Sequence, residues 1–214
     1  MASEPHAAKK IPMFPLSAVL YPGGVLPLHV FEERYKKLSQ YCIDSGSQFG
    51  IVLIERGQEV GGGDARFPVG CMAEIIQHDL MPDGRSNLLV LGTSKINIEQ
   101  WHSDSPFPVA SVREVHDAST SGSMERAQVV LRRFSDFVES ARQMGYQMPA
   151  VDEDAISVGL EATELIYRIA ELLPAGPFDR QRILAAAGCD DRLTVIEDQL
   201  RGLEEILVTR DEKP

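Results

Sequence analysis

An α+β fold, with a β-rich first half followed by a small α-helical bundle, is the class this 214-residue sequence predicts, and three observations carry it. Up to Val115 the apolar residues come in short runs separated by Gly, Pro and an Asp-Gly dipeptide, which is how strands joined by tight turns read. From Ala127 onward they recur every three or four residues, which is how helices read. Between the two lies a small polar break, Thr120-Ser121-Gly122-Ser123. The expected organisation is a disordered N-terminus over 1–10, a β-rich subdomain over 11–118, a helical subdomain over 119–208 and a charged tail over 209–214.

The first elements lie between Ile11 and Tyr35. Pro12, Pro15, Pro22 and Pro27 lack a ladder donor and fix φ, so the apolar residues between them predict short edge strands rather than a helix. Pro22-Gly23-Gly24 is a turn, with proline setting one corner and glycine free to take positive φ. After Val30 the period changes. Phe31, Tyr35, Leu38 and Cys42 fall on one helical face, and Glu32 with Lys36 and Glu33 with Lys37 form i,i+4 pairs. Arg34 precedes the core-facing Tyr35, a position from which it can pair with a carboxylate of the sheet and fix the strand-to-helix junction.

Five further strands are expected: Phe49–Glu55, Gly70–Gln77, Asn87–Leu91, Lys95–Trp101 and Pro108–Val115. In the second half, Ala127, Val130, Leu131, Phe134, Phe137, Val138, Ala141 and Met144 hold one helical face for about six turns. A second helix is expected from about Asp154 to Leu173, stopped by Pro174 and capped by the acids Asp152-Glu153-Asp154. A third runs near Asp179–Ala187 with Gly188 as its C-cap, and Leu193, Ile196, Leu200, Leu203 and Leu207 mark the last. The tail Thr209–Pro214 reads as a solvated terminus, so a stand-alone protein is expected, with a truncated piece of a longer one as the alternative.

The order of these segments resembles the Lon protease N-terminal (substrate-binding) domain family. The stretch from Ile11 to Tyr35 is similar to the family's opening, Phe49-Gly50-Ile51-Val52-Leu53 to its buried strand, and Val69 to Ile75 to its "VGt-AeI" strand. Met81-Pro82-Asp83-Gly84-Arg85 stands at its "lpDGr" hairpin and Val90 to Ile96 at its "veGlrRf" segment, with Lys95 where arginine is usual. Leu172-Leu173-Pro174, Gln181 to Leu184 and Asp191-Arg192-Leu193 echo its ending, so the likeness covers about residues 11 to 208. The resemblance implies a PUA-like pseudobarrel for the first half and a role in engaging unfolded or tagged polypeptides.

Composition and motifs exclude several function classes. Basic and acidic side chains number 10 and 14 over residues 1–117 and 11 and 18 over 118–214, and the net charge is −11, with no cluster of Lys and Arg to attract phosphate backbones. Nucleic acid is therefore not an expected partner, although a PUA-like barrel leaves an RNA-associated domain as the alternative function. Gly61-Gly62-Gly63 is followed by Asp64-Ala65-Arg66 without a phosphate-reaching lysine, so it reads as a flexible loop rather than a P-loop. His6, His29, His78, His102 and His116 show no metal-ligand spacing, and no metal or cofactor is expected. Cys42, Cys71 and Cys189 read as buried free thiols of a reducing, cytoplasmic setting, and no apolar stretch has membrane-spanning length. No nucleophile motif is present, and the protein is not expected to be an enzyme.

Binding by apolar surface remains. Turn chemistry directs Tyr21 and Pro22 outward in the first turn, Leu80 and Met81 before the Asp-Gly turn, and Phe107 between Pro106 and Pro108. These five are the expected polypeptide contacts; the alternative for each is a side chain folded back onto its own barrel. The expected partners are unfolded or tagged polypeptides, together with a protease or chaperone.

Overall fold

A computed structural model describes residues 8–57, 59 and 63–211, with the backbone alone at 210 and 211. The expected disordered N-terminus through residue 7, most of the Gly61-Gly62-Gly63 loop and the last three residues of the tail lie outside the described residues. One unit of the chain ends at His116 and the other begins at Asp117.

The first unit holds β1 (Lys9–Leu16), β2 (Val25–Val30), α1 (Glu33–Ser45), β3 (Phe49–Arg56), β4 (Ala65–Leu80), β5 (Ser86–Trp101) and β6 (Val109–Val115). The strands run β2-β5-β4-β3-β1-β6, and a further pairing of β5 with β6 closes five of them into a ring. All pairs are antiparallel except β1 with β3. This is the PUA-like pseudobarrel, with β2 attached outside the ring to the first half of β5.

The prolines of β1 are explained by a division of labour along the strand. Lys9–Pro12 pairs β6 and Met13–Leu16 pairs β3, so each half uses one edge and leaves the other for a nitrogen without a proton. β1 is thus an inner strand, not the edge strand expected, whereas β2 with Pro27 is an edge. Ile11, Met13, Val52, Met72, Ile96, Ala110 and Val112, from all five ring strands, fill the barrel interior. A second core packs Tyr35, Leu38 and Cys42 of α1 on Phe14, Phe49, Val90 and neighbours. Leu38 is fully buried and Lys37 beside it is exposed. Leu38→Ala is therefore expected to cost about 3 kcal/mol in denaturant melts and Lys37→Ala less than about 0.5. Equal losses would mean that the helical register is wrong.

Two expected strands, Asn87–Leu91 and Lys95–Trp101, are one continuous β5. The glycine between them is not a turn but a close approach. A Cβ on Gly92 would stand 2.1 Å from the Tyr21 carbonyl oxygen. Lys95 is 4% exposed in this strand. Helix α1 begins at Glu33 with Glu32 as N-cap, so Phe31 lies outside it and is 49% exposed, contrary to its expected place on the buried face. Its natural packing partner four residues into the helix is Lys36, which cannot staple an aromatic ring. Lys36 pairs with Glu33 at 2.9 Å, one residue closer than the spacing expected.

The second unit is all helical: α2 (Ser123–Gln143), α3 (Glu153–Ser157), α4 (Ala162–Leu172), α5 (Pro177–Ala185) and α6 (Cys189–Asp211). The single helix expected from Asp154 is broken because Gly159 takes φ +71, and Asp152 caps α3 by accepting from Ala155 N–H at 3.0 Å. Gly188 does not cap α5. Its carbonyl accepts from Arg192 N–H at 3.0 Å, so it starts α6, and α6 continues through three residues expected in the tail. Arg126 joins α2 to Glu197 of α6 at 2.6 Å, and Arg133 joins it to Glu204.

Arg192 is fully buried and organises this bundle. Its Nε and Nη2 donate to the carbonyls of Ile183 and Ala186 at 3.0 and 3.2 Å, serving orphan acceptors at the end of α5. Its Nη1 lies 3.0 Å from Asp117 Oδ2, an atom that also accepts from the Tyr167 hydroxyl at 2.7 Å, and the guanidinium rests 4.3 Å over the Tyr167 ring.

Candidate functional site

A largely apolar groove of about 280 Å³ opens on the first unit between the end of β1, the edge strand β2 and the start of α1. Pro15 lines one bank and Pro27 the other. Neither carries an N–H, so these facing segments are poorly equipped to zip together as a ladder, and a groove persists where two strands run near each other. Its apolar walls include Phe14, Leu16, Leu26, Leu28 and Phe31. The floor is ordered by the stack of Phe14 on Tyr35, with centroids 3.9 Å apart and rings 11° from parallel.

Charged groups hold the rim. Arg34 donates from Nε to Glu32 at 3.1 Å and from Nη2 to the Glu59 carbonyl at 2.7 Å, with its guanidinium 4.4 Å over the Tyr35 ring. The Glu59 carboxylate accepts from Ser17 N–H. Arg34 thus links the start of α1 to the Glu59 carbonyl, and its carboxylate partner comes from the N-cap of its own helix rather than from the sheet as expected. The Tyr35 hydroxyl is buried without a hydrogen-bond partner among the described residues. Burial pushes its pKa well above the ordinary phenol range, so the group stays neutral. Nearby, Arg66 binds Asp64 at 2.5 Å and Asp104 at 2.7 Å and lies 4.2 Å over Trp101. Burial acts most strongly on Asp64 and would raise its pKa, but the Arg66 hydrogen bond, a backbone hydrogen bond and the charges of Arg66 and Arg34 together outweigh it and hold the carboxyl below its usual range.

The five expected contact residues do not form one patch. Tyr21 is fully buried: Gly23 N–H donates to Gly92 O at 2.8 Å and Gly92 N–H to Gly24 O at 2.9 Å, which pins the turn against β5 and turns the ring inward. Pro22 is half-buried. Phe107, 9% exposed, belongs to the core beside α1 and meets the Tyr41 ring at 5.6 Å. Leu80, 69% exposed, faces outward, and Met81 beside it is half-buried like Pro22. The two turns are also far apart, because Val25 at one end of β2 pairs Leu91 and Val30 at the other pairs Ser86 beside the Asp-Gly hairpin. At roughly 3.3 Å per residue that separates them by about 15–20 Å. Residues the sequence reading missed are Phe31, Leu26 and Glu59. An aromatic immediately before an acidic N-cap, with lysine at the staple position, was the available signal for Phe31.

The groove can bury apolar side chains, and the two buried thiols of this unit lie outside its lining. Burial pushes the Cys42 thiol up to about 12 and raises Cys71 further, the opposite of nucleophile activation. Among the described residues no group of three or more His, Cys, Asp or Glu could hold a metal ion. No helix among them is long and apolar enough to cross a membrane.

Comparison with known proteins agrees with this architecture. A LON peptidase N-terminal domain and RING finger protein of Schizosaccharomyces pombe is 25% identical over 228 residues, covering 91% of this chain and 46% of that protein. The Lon protease of Cytophaga hutchinsonii is 25% identical over 187 residues, covering 86% of this chain and 23% of the protease. The chain thus spans under half the length of either relative. Among solved structures, a Lon N-terminal domain protein from Xanthomonas campestris superposes with a TM-score of 0.62 at 25% identity, covering 89% of this chain and 98% of that one. The N-terminal domain of the Mycobacterium avium complex Lon protease gives 0.67 at 16% identity, over 90% and 98%. With the model of the ATP-dependent protease La (LON) substrate-binding domain matching residues 10–201, the chain belongs to that family.

Proposed function

We propose that these 214 residues form a non-catalytic module that captures unfolded or tagged polypeptides by their apolar side chains, in the groove between β1, β2 and the start of α1. The observation that carries this is an open apolar groove whose proline-bearing banks resist being closed by backbone pairing. The family supports it, since this part is common to relatives named Lon protease and to one named RING finger protein. A protease or chaperone is the proposed recipient of the captured chain. Leu80 with Met81, at the hairpin tip, is proposed as a smaller accessory contact. Three buried free thiols fit a cytoplasmic setting.

Fluorescence anisotropy with a reduced, alkylated client against its folded form tests the reading. Phe31→Ala is expected to weaken capture about tenfold or more with little change in folding stability, because few large side chains dominate such contacts. Raising salt should leave the affinity nearly unchanged, as apolar burial is not screened. Equal binding of folded and unfolded client, or no effect at Phe31, would remove the proposal.

A further inference from the structure

We propose that the free edge of β4, Glu74 to Leu80, is a second and separate site, which adds an extended peptide as an extra strand. The preferred peptide carries apolar side chains at alternate positions and carboxylates at the end nearest Lys9 and Lys10. Strand β3 covers β4 only between Ala65 and Ala73, because β3 begins at Phe49. From Glu74 onward β4 pairs β5 on one side, and no strand among the described residues lies on the other. The same shortfall opens β1, whose Lys9–Pro12 segment pairs β6 while β3 reaches only Met13 and beyond. Both open edges line a groove of about 750 Å³, together with the end of α1 and Gly46 to Gln48. That groove occupies the place where β3 would continue had the chain not turned away at Gly46, which takes φ +62 to cap α1. The barrel wall is short of one strand there.

Exposed strand edges are ordinarily guarded by proline, lysine or a covering element. The edge of β2 carries Pro27. Glu74-Ile75-Ile76-Gln77-His78-Asp79-Leu80 carries no proline, glycine or lysine. Its irregularity is a bulge between Ile75 and Gln77, at Ile76, which is 49% exposed. Tyr41 and Ile43, on the last turns of α1 lining the same groove, are 49% and 38% exposed. These three side chains provide apolar contacts for alternate residues of an added strand, and backbone hydrogen bonds to β4 fix its register. Charge selects its end: Lys9 and Lys10 are exposed, make no ion pair among the described residues, and stand out in a chain of net charge −11.

The test is anisotropy of the full chain with a labelled eight-residue peptide of alternating valine and threonine that ends in two aspartates. Saturable binding is expected, and methylating the backbone nitrogens along one peptide edge should weaken it at least about tenfold, while methylating the other edge should not. Because this control alters the peptide alone, it holds even for a protein variant that folds poorly. Ile76→Glu, and Lys9→Glu with Lys10→Glu, should each weaken binding about tenfold, the latter also abolishing its salt dependence. Phe31→Ala should leave it unchanged. No binding at millimolar peptide, indifference to methylation on both edges, or indifference to Ile76→Glu would overturn the proposal. Loss at Phe31→Ala instead would overturn it too, placing the peptide in the β1/β2 groove and leaving that assignment standing.

Discussion

Asp117→Ala is expected to destabilise the helical unit by about 3–5 kcal/mol, because it strands the fully buried Arg192 guanidinium without its counter-charge. The loss reaches three elements at once. Asp117 also accepts the Tyr167 hydroxyl of α4, while Arg192 of α6 donates to the two carbonyls that end α5. Urea melts followed by circular dichroism at 222 nm read it, since four helices of eight or more residues lie in this unit and one in the other. Combining Asp117→Ala with Arg192→Met should recover part of the loss, because the stranded charge is gone, but not all of it, because the α5 carbonyls remain unserved. A loss below about 1 kcal/mol for the single change would show that the ion pair contributes little to the bundle.

Gly92→Ala is expected to cost about 3–5 kcal/mol in the β-rich unit. A methyl group there would stand 2.1 Å from the Tyr21 carbonyl oxygen and 2.9 Å from its carbon, and backbone cannot swing aside as a flexible side chain can. Any shift that relieves the clash also breaks the two hydrogen bonds joining Gly92 to Gly23 and Gly24. The sole tryptophan, Trp101, sits in the same strand and reports the transition by fluorescence. Gly23→Ala provides the contrast: nothing lies within 4 Å of a Cβ there, and its φ of +77 alone should cost about 1–2 kcal/mol. Similar losses at the two glycines would mean that close approach is not what Gly92 provides.

The sequence by itself determined whatever depends on neighbours a few residues away. Pro22 followed by Gly23 at positive φ makes the turn, confirmed by the Gly24 N–H to Tyr21 O bond of 3.0 Å. The change of period after Val30 and again near Ala127 set the order of sheet and helices, and Asp152 caps its helix as its position required. The order of motifs was enough to identify the family. Where local signals failed, a distant partner had intervened. Gly92 reads as a break between two strands until the Tyr21 turn is laid against it, and Tyr21 reads as exposed until that same contact turns its ring inward. Only the tertiary structure decided which apolar residues stay open to solvent. Phe31 is left outside because α1 starts two residues after it, and the β4 edge from Glu74 onward is left bare because β3, an earlier segment of the chain, begins only at Phe49. Burial and strand pairing are settled by segments far apart along the chain, so no window of sequence around a residue contains the partner that covers it or the gap that does not.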